Sequence, residues 1–280
     1  MQSTGRLRSR LWLSNNPAAA VWRRPAVCQR CGTVAAPSRG EQREQLPHRR
    51  GACARAAAQD VAQQQQQQVP PLVALLDDRD ARLTTVAQLA WAQALSPGDS
   101  AVDATCGNGH DALALAELVG PSGRVYALDL QEAALAATRE RLESSLPGGA
   151  MPELHLMRAC HSRLQELVGS CAARVVVFNL GYLPAGDKSI TTNAATTVAA
   201  LEAALEVLQP GGLVTVIAYT GHPGGLEEYE AARQLLAGLS HAYWVSSELR
   251  LLNRASAPVL LLLWRRSDGG GAPAAPGARA

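Results

Sequence analysis

Between Thr84 and Trp264, short runs of β-branched and apolar residues alternate with longer amphipathic stretches, and this alternation limits the available folds more than any other feature. Strand and helix taking turns predict a parallel sheet covered by helices. The spacing predicts a leading helix over 84–95, ended by Ser96, Pro97 and Gly98, then a strand over 101–105, a helix over 111–119, a strand over 124–129 and a helix over 132–145. Strands over 153–159 and 174–179 follow, the latter rich in valine as suits a strand buried on both faces. A helix over 196–208, a Pro210-Gly211-Gly212 turn, a strand over 213–219 and a helix over 226–239 come next. The last two strands, 243–252 and 259–264, are joined by 253–258, which is too short for a helical crossover, so this pair must be antiparallel. The expected fold is an α/β doubly wound sheet ending in an antiparallel hairpin.

Charge divides the chain in two. The 280 residues carry a net charge of +2, yet residues 1–58 hold 11 Arg and two Glu, leaving 15 basic against 22 acidic residues afterwards. Wholesale phosphate neutralisation is therefore excluded for the part that folds, and any nucleic acid must be gripped locally. Residues 1–58, with Arg, Ser, Ala and Pro and no acid before Glu41, read as an organelle transit peptide. Residues 59–69, with the Gln63–Gln68 run, read as a low-complexity linker, 70–266 as one domain, and 267–280, rich in Gly and Pro, as a flexible tail. The longest apolar run, Val259–Trp264, is far below the ~20 residues that cross a bilayer.

The six cysteines form no framework. Cys28 and Cys31 make a lone C-x-x-C without a second ligand pair at zinc spacing, so no metal site is expected. Cys106, Cys160 and Cys171 lie in apolar surroundings and are expected to act as small core residues in a reducing compartment.

The first strand runs into Asp103-Ala-Thr-Cys-Gly107-Asn-Gly109-His-Asp111, where a helix starts at once. Glycines there let the backbone pass beneath a ligand and present N–H groups at a helix start. Asp129, at the end of the second strand, stands where a carboxylate accepts both hydroxyls of a ribose. The bland alternative is a tight turn with Asp129 capping the next helix. Spacing alone also leaves a nicotinamide dinucleotide open, since Gly107-x-Gly109-x-x-Ala112 fits that fingerprint. Asp103 favours S-adenosylmethionine: a carboxylate before the glycines suits the methionine ammonium and would do nothing for a pyrophosphate. Asp111 is either a helix N-cap or a cofactor ligand.

The fourth strand ends in Phe178-Asn179-Leu-Gly181-Tyr182-Leu-Pro-Ala-Gly-Asp187-Lys188, with Thr191 and Thr192 close behind. Asn179 can accept a hydrogen bond from an amine, and Tyr182 can lay an aromatic face beside a cation or a flat base. Tyr219-Thr-Gly221-His222-Pro-Gly224-Gly225 leaves the fifth strand; His222 is a candidate to bind substrate or shuttle a proton. His161 follows the third strand, where an adenine edge would lie. Lys188 is the chain's only lysine, placed either to reach a phosphate or simply in solvent.

These three segments, Asp103–Asp111, Phe178–Lys188 with Thr191 and Thr192, and Tyr219–Gly225, resemble the YtqB-like family of bacterial and plastid proteins once labelled rRNA methylases and now associated with the wobble base 5-aminomethyl-2-thiouridine of tRNA. The resemblance covers 70–266; Ala185 departs from a glycine carried by many relatives. It implies a class I, Rossmann-like methyltransferase that methylates the amine of 5-aminomethyl-(2-thio)uridine at tRNA position 34. By resemblance Asp103, Gly107, Asn108, Gly109, His110 and Asp111 hold S-adenosylmethionine from one side. Asp129, Gln131, His161 and Asn179 complete that set. Asn179, Tyr182 and His222 serve the chemistry, while Gly181, Asp187, Lys188, Thr192, Gly221 and Gly224 meet the substrate.

The negative balance of the domain then asks for a local basic rim, from Arg158, Arg163, Lys188, Arg250 and Arg254, or for a second subunit in a homodimer. An Arg-rich presequence on a bacterial-type enzyme implies import into a chloroplast, or alternatively a mitochondrion. The rival functions are methylation of an amine on rRNA, a small molecule or a protein, a noncatalytic donor- or RNA-binding role, and a NAD oxidoreductase.

Overall fold

The computed structural model describes residues 82–181, 191–254 and 257–267. The expected transit peptide and linker lie outside the described residues, and so does all of the expected tail except Ser267. Helix α1 (Leu83–Ala94) leads into strand β1 (Ser100–Asp103), α2 (His110–Val119), β2 (Arg124–Asp129), α3 (Glu132–Ser145) and β3 (Glu153–Arg158). A 3₁₀ turn (His161–Arg163) and the short α4 (Leu164–Val168) precede β4 (Ala173–Asn179); α5 (Ala194–Val207), β5 (Leu208–Ala218), α6 (Gly225–Ala237), β6 (Trp244–Leu249) and β7 (Val259–Arg265) follow.

The strands form one sheet in the order β3-β2-β1-β4-β5-β7-β6. β1 pairs in parallel with both β2 and β4, so strand order reverses between β1 and β4. That switch is where an open α/β sheet leaves a crevice at the carboxyl ends of its strands. β7 runs antiparallel to both β5 and β6, giving the predicted terminal hairpin. Helices α1, α2 and α3 pack side by side, and α4 and α6 pack on α5.

Local chemistry explains the elements. α3 is built from strong helix formers and turns Ala134, Leu135, Thr138 and Leu142 inward at helical spacing. α5 begins at Asn193, whose side chain accepts the Thr196 N–H at 3.1 Å. β4 is buried along almost its whole length, as its valines predict. α1 is pinned to the sheet by Trp91, 2% exposed, whose Nε1–H donates to Thr215 Oγ1 of β5 at 2.9 Å.

Three expectations change. Pro210-Gly211-Gly212 is not a turn before the strand but part of β5: Ala173 pairs with Leu208 and Val175 with Leu213, so three extra residues bulge out of β5. Arg174 holds that bulge, donating from Nη1 to the Pro210 carbonyl and from Nε to the Ala94 carbonyl. Only Cys106 of the three domain cysteines is buried; Cys160 is half-buried, and Cys171 is exposed at a turn with φ of +50°. The 3₁₀ turn and α4 add a short helical crossover between β3 and β4 that is too brief to leave a periodic signal.

Replacing Trp91 by Phe strands the buried Thr215 hydroxyl and opens space under α1. Chemical denaturation is expected to show a loss of about 2–3 kcal/mol at unchanged denaturant slope, of which adding Thr215→Val recovers about 1 kcal/mol. A single variant as stable as the parent would contradict the anchoring of α1 through this pair.

Candidate active site

A cavity of about 530 Å³ opens at the carboxyl ends of the strands, at the β1/β4 switch. Its floor begins where β1 gives way to the glycine turn. Gly109 has a φ of +75°, and a Cβ there would come 2.7 Å from the Thr138 Cα of α3, so only glycine allows α2 and α3 to close over the turn. Thr138 Oγ1 donates to the Gly107 carbonyl at 3.1 Å, and the Arg141 Nε–H donates to the Asn108 carbonyl. The turn is thus tied to α3 from above.

Asp129 ties it to β2. One carboxylate oxygen accepts the Gly107 N–H at 3.0 Å and the other the Gln131 N–H at 2.9 Å. Asp129 therefore positions the turn and also braces the start of α3, while each oxygen keeps a further lone pair for a ligand hydroxyl.

Asp103 is fully buried beside the cavity floor. Its Oδ1 accepts the Thr105 N–H at 3.2 Å, and its Oδ2 has no hydrogen-bond partner. Burial pushes its carboxyl well above the usual range, and the charges of Asp111 and Asp129 push it further. Burial likewise raises Asp111, against the pull of hydrogen bonds from Asn179 and Gln88. Three acids crowded into one low-dielectric corner, one with an orphaned oxygen, ask for a cation. Cys106 beside them keeps its proton, because burial and Asp103 push the thiol far up.

Asp111 does not cap α2; that place belongs to Gly109, with no side-chain cap. Its Oδ2 instead accepts from Asn179 Nδ2 at 3.2 Å. This bond fixes the amide: the nitrogen faces Asp111, and the oxygen is the acceptor offered to a ligand. The Asn179 N–H donates to Thr105 Oγ1 at 2.7 Å, so β1 and β4 are clasped at their tips.

On the far walls, His161 is 6% exposed and packs edge-on to Phe178, with ring centroids 6.0 Å apart. Burial lowers its pKa to about 4, so the ring is neutral at physiological pH. The His222 Nδ1–H donates to the Pro223 carbonyl at 3.0 Å, and Nε2 is turned into the protein.

The cavity wall includes Gly107, Asn108, His110, Asp111, Asp129 and Gln131 of the residues expected to hold a donor, together with His161 and Asn179. It also includes Gly181, Thr192, Gly221 and His222. Asp103 and Gly109 stand behind the wall, and Gly224 is the N-cap of α6 with a φ of +81°. Tyr182, Asp187 and Lys188 lie outside the described residues. Thr105, Gln88 and Thr138 serve the site without having been anticipated; only Thr105, inside the glycine motif, left a trace in the sequence. Of the residues anticipated for a basic rim, Arg163 pairs with Glu166, Arg250 with Glu248, and Arg158 reaches Glu132 at 4.0 Å, while Lys188 lies outside the described residues.

A family model described as "Putative rRNA methylase" matches residues 125–265. The chain is 42% identical over 193 residues to the chloroplastic tRNA (mnm(5)s(2)U34)-methyltransferase of Arabidopsis thaliana, covering 67% of this chain and 70% of that one. A crystal structure described as an rRNA methylase from Clostridium thermocellum shares 34% identity at a TM-score of 0.62, over 66% of this chain and 97% of that one. A Streptococcus mutans methyltransferase solved with SAH shares 31% identity at a TM-score of 0.58, over 66% and 98%. The fold is the class I methyltransferase fold, and the chain belongs to the rRNA-methylase family of methyltransferases.

Proposed function

We propose that this chain is an S-adenosylmethionine-dependent N-methyltransferase that converts 5-aminomethyl-(2-thio)uridine at tRNA position 34 into its methylaminomethyl form. The observation that carries the reading is Asn179, whose amide nitrogen donates to Asp111 of the three-acid corner at 3.2 Å and so leaves its oxygen as the acceptor. The name of the Arabidopsis relative supports tRNA as the acceptor and the plastid as the site of action.

S-adenosylmethionine, when bound, supplies a methyl group on a positively charged sulfonium. The protein's own groups fit it. Asp103 attracts the ammonium with its charge from just behind the wall, Asp129 offers its remaining lone pairs to the ribose, and neutral His161 an apolar edge to the base. Neutralising three clustered acids is the energetic return on binding a cation here.

The acceptor amine must be uncharged to attack. A primary amine with a pKa near ~10.4 loses its proton at pH 7 at a cost of about 4–5 kcal/mol. That proton leaves to solvent as the amine enters, and the Asn179 oxygen accepts one of the two N–H groups of the neutral amine, which aims the nitrogen lone pair away from Asn179 and toward the methyl. Positioning then supplies most of the acceleration. The new C–N bond forms as the C–S bond breaks, and no enzyme intermediate is needed.

Incubating tRNA that bears the aminomethyl group with labelled donor is expected to place label in nucleoside 34. Asn179→Ala should lower kcat by ~10²–10³-fold while leaving donor affinity within ~3-fold. Label absent from that nucleoside with the parent protein would remove the tRNA reading.

Asp103 gives a second, pH-dependent test. Its folded pKa lies above the unfolded value near ~3.9, so its contribution is complete below that value and is lost as pH rises through the folded one. At pH 7 the ligand-free protein carries this penalty. Asp103→Asn should therefore stabilise the ligand-free protein by about 1–3 kcal/mol at pH 7, shrinking toward pH 4, and weaken donor binding by ~10–100-fold. Melts across pH and calorimetry check both; a destabilised variant with unchanged affinity would contradict the role of Asp103.

A further inference from the structure

Past Asn179, three consecutive backbone N–H groups leave the sheet and are each held by a different partner. Asn179 donates to Thr105 Oγ1 at 2.7 Å, Leu180 to the Ile217 carbonyl at 2.9 Å, and Gly181 to Thr192 Oγ1 at 2.8 Å. The Gly181 carbonyl accepts in return from the Thr192 N–H and the Thr191 hydroxyl, both at 3.1 Å. Gly181 and Thr192, ten residues of intervening chain apart, thus form one clasp on the cavity wall.

A threonine hydroxyl has one proton. For Thr192 Oγ1 to present a lone pair to Gly181 N–H, that proton must point elsewhere, and it points to Glu228 Oε2 at 2.9 Å. The other choice, the Gly181 carbonyl, is 3.4 Å away and uncharged. The second carboxylate oxygen of Glu228 accepts from the Thr197 hydroxyl of α5. Glu228 sits on α6, is 1% exposed and does not line the cavity. Burial raises its pKa, and the two hydroxyl bonds and nearby His222 pull it back.

Helix-to-helix packing alone does not call for a carboxylate there, because an apolar side chain would fill the space without desolvating a charge. What a carboxylate adds is that it only accepts. It forces both threonine hydroxyls to donate toward it and so sets the direction of the whole relay, from Gly181 N–H to Thr192 and from Thr192 to Glu228.

We propose that Glu228 is a positioning residue for methyl transfer, which through Thr192 locks the backbone following Asn179 and thereby holds the acceptor-side wall in its productive shape. The proposal rests on Asn179 as the acceptor-binding group.

The test uses Glu228→Gln in the full chain. Glutamine keeps the shape but brings an NH₂ that can donate to Thr192 and compete with Gly181. Four quantities are read: kcat with aminomethyl-bearing tRNA, affinity for S-adenosylhomocysteine, Tm, and amide hydrogen exchange at Gly181 and Thr192. The expected result is kcat lower by ~10–100-fold, affinity within ~3-fold, Tm equal or higher, and exchange at those two amides at least ~10-fold faster with the central strands unchanged. Thr192→Val, which deletes the relay hydroxyl, should reproduce the loss of kcat, and the double variant should be no worse than either single one. Parental kcat in Glu228→Gln, or unchanged exchange at Gly181 and Thr192, would overturn the proposal, as would a lowered Tm with parental kcat. If the parent transfers no methyl to tRNA, the tRNA reading fails and the exchange measurement still decides the clasp.

Discussion

The site depends on the burial of negative charge at the tips of adjacent parallel strands. Asp103 on β1, Asp111 on α2 and Asp129 on β2 converge around one glycine turn, and desolvation raises the first two before any mutual repulsion is added. Such a corner is costly in a folded protein unless something positive completes it. Asp129 offsets part of the cost through the Gly107 and Gln131 N–H groups, and Asp111 through Asn179. Asp103 retains an oxygen with no partner, which makes it the point where ligand binding and stability are most strongly linked.

The same economy orders the acceptor side. Asp111 belongs to the acidic corner by position, yet its hydrogen bond to Asn179 Nδ2 decides which end of the amide is left to accept, and in the proposed reaction that end receives the amine. Thr105 and Thr192 then hold the backbone on either side of Asn179, so a group that must be accurate is fastened by hydroxyls from two other segments rather than by the sheet alone. Accuracy of this kind is what positioning catalysis requires.

Much of this was legible before any coordinates. The parallel sheet follows from the alternation of strand and helix, the antiparallel end from the shortness of 253–258, and the convergence of acids on a glycine turn from Asp103, Gly107, Gly109 and Asp129 at their spacing. What could not be read depends on residues distant in sequence. Asn179 meets Thr105 across 74 positions and Asp111 across 68, Trp91 meets Thr215 across 124, and no local pattern encodes those pairs. The bulge in β5 was hidden for a different reason: Pro-Gly-Gly ordinarily ends a strand, and here Arg174 on the neighbouring strand holds it within one. Cys171 was misplaced because apolar neighbours say nothing about a turn with positive φ.

The most direct measurement of the central claim is a crystal structure of the protein with S-adenosylhomocysteine and an anticodon stem-loop carrying the aminomethyl uridine. The account predicts the ribose of S-adenosylhomocysteine on Asp129, and the uridine's amine within about 3 Å of the Asn179 side-chain oxygen, facing the sulfur. A cofactor product seated away from the glycine turn, or an Asn179 amide whose nitrogen points at the amine, would contradict it.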